Sequence, residues 1–251
     1  MTRRLTIAVL LLLAWAGPVA AAEVRVLSAG AVKPVVPGLI DTFQKETGHT
    51  VTITFDTAGG VKRKVEAGEK GDVLISTDTV VDALVKSNHV VAGSRSDLAR
   101  TAIGVAVREG APKPDISTVD AFKRALLEAR SIVYNDPAIG ATSGIHFAEV
   151  LQRLGIAEIV KPKTVLWKGG YAAEALVNGQ ADLCVHQISE LLPVKGVVVV
   201  GPLPAELNKI TTYSGSLLTS SVTPDAARAF LAYLARPEFR ARFAAAGLDY
   251  R

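Results

Sequence analysis

"FDTAGGVKRKVEAGEKGDVLIST" spans Phe55 to Thr77. It begins as the end of an apolar run and passes through a small-residue turn into a basic, helix-favouring stretch. Gly71-Asp72 then opens a second apolar run. Strand, helix and strand in that order form one unit of a parallel sheet. At the junction, Ala58-Gly59-Gly60 carries no side chain larger than a methyl group. Either the turn is merely tight, or something must come close to its backbone.

The same alternation extends in both directions. Strands are expected at 24–28, 50–55, 73–76, 101–107, 131–135, 163–167, 182–186, 196–200 and 213–218. Helices are expected at 34–47, 61–67, 79–87, 118–129, 144–154, 171–178, 224–234 and 237–246. This order predicts an α/β fold of parallel sheets flanked by helices. One internal echo stands out. "EAGEKGDVLIS" (66–76) and "VNGQADLCVH" (177–186) each run from a helix end through Gly and Asp into an apolar strand. Two halves built on one plan put Ser76 and His186 at matching strand ends, where open α/β sheets bind ligands.

A length of 251 residues fits one large domain or two lobes of about 100 residues. Apolar residues make up 49% and charged residues 21%, a composition that folds rather than stays disordered. The net charge of +4 is mild. No basic run exceeds Lys62-Arg63-Lys64 and no aromatic residues interleave with it, which argues against a nucleic-acid partner. Residues 1–22 read as a signal peptide: Arg3-Arg4, an apolar core over 5–15, a Gly17-Pro18 break and small residues up to Ala22. The apolar core is shorter than the roughly 20 residues that span a bilayer. Cys184 is the only cysteine, so no intrachain disulfide forms, and none at the cleavage site can carry a lipid. The expected product is exported, cleaved near Ala22 and freely soluble, in the periplasm where the cell has two membranes.

Four strand-to-helix turns are rich in small residues: 28–31, 57–60, 140–144 and 168–170. Helix N-termini carry unpaired N–H groups and about half a positive charge, and small residues let an anion reach them. Gly30, Ala31, Ala58, Gly59, Thr142, Ser143 and Gly170 are therefore candidates to line an anion site. Thr57, Lys168 and Tyr171 are secondary candidates. His186, at its strand end, is the one histidine with a reason to face the ligand; His49, His89 and His146 are scattered. No P-loop, nucleophile elbow or metal-ligand spacing occurs, so neither cofactor, resident metal nor catalysis is expected.

Several stretches together resemble a known family: "SAGAVKPVVPGLIDTFQKETG", "FDTAGG", "VEAGEKGDVLIST", "NDPAIGATSGIHFAEVLQRLG", "YAAEALVNGQADLCVH" and "AFLAYLARPEFRARFAAAGLDY". In order along the chain, they are similar to the periplasmic molybdate-binding proteins of ABC importers. The resemblance implies a type II periplasmic-binding-protein fold: two α/β lobes, a hinge and an interlobe ligand cleft. Lobe one would hold 23–103 and 213–251, and lobe two 104–212. A monomer would hand a small anion to an importer's permease; the alternative role is that of a sensory subunit serving a membrane histidine kinase. The resemblance also implies contacts at Ala31, where the family places a serine, at the 57–60 turn, at Ser143 and Gly170, and at His186, where it places a tyrosine. The lost hydroxyls leave two ligand classes open, a molybdate- or tungstate-like oxyanion and a small organic acid.

Overall fold

Successive side chains along each strand point to opposite faces of its sheet, and the central strands are buried on both. In the computed structural model, which describes residues 21–249, β1 (Glu23–Ala29) directs Val24 and Val26 to one side and Leu27 to the other. Apart from Ala21 and Ala22, the expected signal segment lies outside the described residues. The remaining strands are β2 (Thr50–Asp56), β3 (Val73–Thr77), β4 (Ser96–Thr101), β5 (Ile103–Arg108), β6 (Ile132–Asn135), β7 (Thr164–Trp167), β8 (Leu183–Gln187), β9 (Val197–Pro202) and β10 (Thr211–Leu217). Among the described residues they form two five-stranded sheets, ordered β2-β1-β3-β10-β4 and β7-β6-β8-β5-β9.

The two sheets share one plan. β1 pairs parallel with β2 and β3, as β6 does with β7 and β8. β10 pairs antiparallel with β3 and β4, as β5 does with β8 and β9. The echoing sequences thus occupy corresponding strands, β3 and β8. The sheets are mixed, not parallel throughout as expected. The antiparallel members are the strands that enter each sheet from the other lobe. A single strand was expected over 101–107; the structure has two, β4 and β5, separated by Ala102. Ser96–Thr101 escaped notice because this edge strand reads S-D-L-A-R-T, with little apolar alternation.

Both faces of both sheets are covered. On one side of the first sheet, Phe43 of the helix Val36–Thr47 meets Phe230 of the helix Pro224–Leu234 edge-on, with ring centroids 5.0 Å apart. The helices Ala58–Glu66 and Asp78–Lys86 cover the other side, against Leu27 and Leu74. Phe122 and Phe147 seal one face of the second sheet; Leu176 and Cys184 belong to the cluster on its other face.

Asp72 ties three segments of the first lobe together. Its buried carboxylate accepts the Arg25 N–H at 2.8 Å, the Ser221 hydroxyl at 2.9 Å and the Val222 N–H at 3.1 Å. Burial raises the carboxyl's pKa, but these donors outweigh it and the net shift is downward. A depressed folded-state pKa contributes stability above the unfolded value of about 3.9 and loses it as pH falls through that range. Asp72→Asn is expected to cost about 1–3 kcal/mol at pH 7. In urea denaturation at several pH values, the difference between this variant and the natural chain should shrink below about pH 4.

Candidate functional site

The turns expected to expose backbone do meet between the lobes, although not all in the expected way. The helix after β2 begins at Ala58, so Ala58-Gly59-Gly60 is its first turn and not a turn preceding it. By helix geometry its leading N–H groups have no partner within the helix. Two of them are satisfied by protein: Gly60 N–H donates to Thr57 Oγ1 at 3.0 Å, and Gly59 N–H donates to the Gly140 carbonyl at 3.0 Å. Ala58 keeps its place on the cavity wall.

Gly59 is the one candidate that does not line the cavity. Its missing side chain is needed for the other lobe, because a Cβ there would lie 2.7 Å from the Gly140 Cα. Gly140 has a left-handed φ of 77°. Thr57 Oγ1 donates to the Ile139 carbonyl at 2.6 Å, and Arg63 Nη2 reaches the same oxygen at 3.0 Å. Thr57 and Arg63 belong to the first lobe and Ile139 and Gly140 to the second, so this is a latch across the mouth of the cleft.

Behind the latch lies a cavity of about 470 Å³. It is lined by every sequence-derived candidate except Gly59: Gly30, Ala31, Thr57, Ala58, Thr142, Ser143, Lys168, Gly170, Tyr171 and His186. The helix Thr142–Arg153 turns its leading residues into it. Gly144 makes that entry possible, since a Cβ there would overlap the Asn135 carbonyl. The first turn leads into a short 3-10 turn, Gly30–Val32, ahead of the helix at Val36. The fourth precedes a helix of only four residues, Glu174–Val177.

The floor is neutral. His186 is buried, and its Nδ1 lies 3.0 Å from Ser143 Oγ. Burial lowers its pKa to about 3, so the imidazole is uncharged at neutral pH. Its Nε2 has no hydrogen-bond partner and sits 3.8 Å from Glu190 Oε2. Gln187 Nε2 donates to the Tyr213 hydroxyl at 2.8 Å, and the Thr142 side chain also hydrogen-bonds that hydroxyl. The rim carries both signs, three cations against the carboxylates of Asp56 and Glu174. Lys33, Arg63 and Lys168 are all exposed there. Lys33 Nζ stands between two rings, 5.9 Å from Phe55 and 5.7 Å from Tyr171.

Lys33, Arg63, Asn135, Gln187, Glu190 and Tyr213 are lining residues that the sequence reading missed. Glu190 is the most consequential. It lies on the four-residue helix Ile188–Leu191, too short to show a period, and its side chain is only 14% exposed. Burial pushes its carboxyl up to about 8, with Lys33 pulling the other way. Among the described residues no cluster of His, Cys, Asp or Glu has the arrangement of a metal site.

Gly59→Ala forces the two glycine backbones apart. It should leave the unliganded melting temperature within a few degrees of the natural value while weakening ligand binding about tenfold, near 1.4 kcal/mol. Differential scanning calorimetry and isothermal titration calorimetry check the two halves of this expectation.

Known proteins with this architecture share most of the chain. The protein named aconitate isomerase from Pseudomonas sp is 35% identical over 216 residues, 84% of this chain and 81% of that protein. The molybdate-binding protein ModA of Escherichia coli (strain K12) is 27% identical over 220 residues, 86% of this chain and 84% of that one. The periplasmic molybdate-binding protein of Azotobacter vinelandii superposes with a TM-score of 0.76 at 23% identity, covering 91% of this chain and all of that structure. The fold is thus of the type II periplasmic-binding class, as expected. Residues 24–249 match the family described as bacterial extracellular solute-binding protein, and the chain belongs to that family.

Proposed function

We propose that the protein captures a small organic polycarboxylate in the interlobe cavity, in preference to a tetrahedral oxyanion. The observation that carries this reading is a cavity of about 470 Å³ with Lys33, Arg63 and Lys168 set around its rim. A central atom with four oxygens fills the space of a few waters, each about 30 Å³, whereas ligand sites of about 300–1,000 Å³ suit larger molecules. Three separate cations complement several separated carboxylates. The hydroxyl donors that would ring a compact oxyanion are missing at Ala31 and Ala58. The 35% identity to a protein named for aconitate, against 27% to the molybdate binder, points the same way.

Capture follows rotation of 23–103 with 213–251 against 104–212, a hinge closure of the general kind such receptors use. As an exported receptor, the chain would then present its ligand to an ABC permease.

A second reading, turnover of the bound ligand, is favoured by one observation. The Glu190 carboxyl, pushed up to about 8, faces the cavity 3.8 Å from the uncharged His186 imidazole, so one group able to exchange a proton near neutral pH lines the site. A 1,3-proton shift in an unsaturated polycarboxylate needs a group that accepts a proton from carbon and returns one at the other position, which a single carboxyl can do in turn.

A melting screen with aconitate, citrate, tricarballylate, molybdate, tungstate, sulfate and phosphate tests the primary reading. A ligand at 100 times its dissociation constant adds about 2.7 kcal/mol to the stability of the folded state. Shifts are expected with the tricarboxylates; shifts confined to molybdate and tungstate overturn the proposal. Proton NMR of aconitate in heavy water tests turnover, through interconversion of its isomers and deuterium uptake at carbon.

A further inference from the structure

We infer that Glu190 keeps its proton in the closed cleft and donates it to a carboxylate of the ligand, so that the protein takes up one proton with its anion above neutral pH. The inference rests on the polycarboxylate reading and adds the residue that makes binding depend on pH.

The geometry carries it. Glu190 Oε1 lies 3.1 Å from where a Cβ on Gly30 would stand, so this acid of the second lobe reaches across the cleft to the first. Gly30, Glu190 and His186 line the same cavity. An anion seated there comes close to the Glu190 carboxyl in a place shielded from water. Two carboxylates that close cannot both remain ionised, and one shared proton turns the repulsion into a short, charge-assisted hydrogen bond.

The groups facing Glu190 allow this. Its own helix, Ile188–Leu191, brings no other charge. From β8 come His186, uncharged, and Cys184, whose thiol burial drives upward. Tyr171 and Tyr213 have their phenols raised by burial first and by the Glu190 charge second. Lys33 is the one cation whose field lowers the Glu190 carboxyl, and it is held off between the Phe55 and Tyr171 rings. Asp56 directs its carboxylate to Lys64 at 3.1 Å, and Glu174 is exposed to solvent. On the hinge side Arg100 and Asp249 share a hollow with Ile188. Burial supports a proton held to about pH 8. The sign follows: affinity is full below that pH and falls as Glu190 ionises above it.

The test is titration calorimetry with tricarballylate, fully ionised above about pH 7, at pH 6, 7, 8 and 9 in buffers of different ionisation heat. The natural chain should lose about tenfold in affinity per pH unit above about 8 and take up close to one proton per ligand at pH 9. Glu190→Gln keeps a donor in the same place. It should abolish the slope and bind more tightly than the natural chain at pH 9, while Glu190→Ala should bind more weakly at pH 7. A slope unchanged in Glu190→Gln, or tighter binding by Glu190→Ala at pH 7, overturns the inference. Carboxyl ¹³C NMR of the unliganded chain, with Glu190→Gln to assign the signal, decides it independently of any ligand: titration near 8 supports it and titration near 4 overturns it. Failure of every carboxylate to bind ends the polycarboxylate reading instead, a different result from a carboxyl that titrates normally.

Discussion

The arrangement depends on one contact, the meeting of the Gly59 and Gly140 backbones across the cleft. Only glycine lets two main chains approach so closely, and the Gly140 conformation is one that residues with a side chain adopt at a cost. Once the backbones meet, the Ile139 carbonyl falls within reach of both Thr57 and Arg63. Each hydrogen bond contributes about 0.5–1.5 kcal/mol net, so the set is comparable in size to the population shifts of a conformational change. The enclosed space behind it exists because the mouth can shut.

Enclosure sets the electrostatics. A floor of His186, Gln187, Tyr213, Ser143 and Thr142 offers neutral polar groups, while charge of the attracting sign is kept to the rim. Cations at an exposed rim draw an anion in without the desolvation penalty that a buried ammonium or guanidinium would impose. Buried side chains instead lose their charge, as His186 and Glu190 do in opposite directions for the same reason. The pocket thus distinguishes attraction from recognition by depth.

Much of this was legible in the sequence where it repeats with a period. Nine of the ten strands among the described residues are visible as apolar runs, although 101–107 conceals the joint at Ala102. The small-residue turns led to the cavity because glycine near a helix start has few explanations, and ten of the eleven candidates line it. Gly59 shows the limit of that reasoning: an open backbone attracts another backbone as readily as a ligand. Lys33 falls between the 28–31 turn and the helix expected at 34–47, Tyr213 lies in a strand that returns from the other lobe, and Glu190 lies on a single turn of helix ended by Pro193. Their roles come from tertiary placement, which no local pattern encodes.

The joint itself has a mechanical consequence. Only Ala102 separates β4 from β5, and the return strand β10 lies beside β4, so both crossings sit on one side of the molecule. The glycine contact lies toward the other side, beyond β2 and β6. A rotation at the joint would therefore displace the mouth more than the strands beside the joint. The Tyr213–Gln187 hydrogen bond joins the lobes through β10 and β8, the strand beside β4 and the strand beside β5. A departing ligand would first lose its grip at the lysines and arginine and would last let go of the neutral floor.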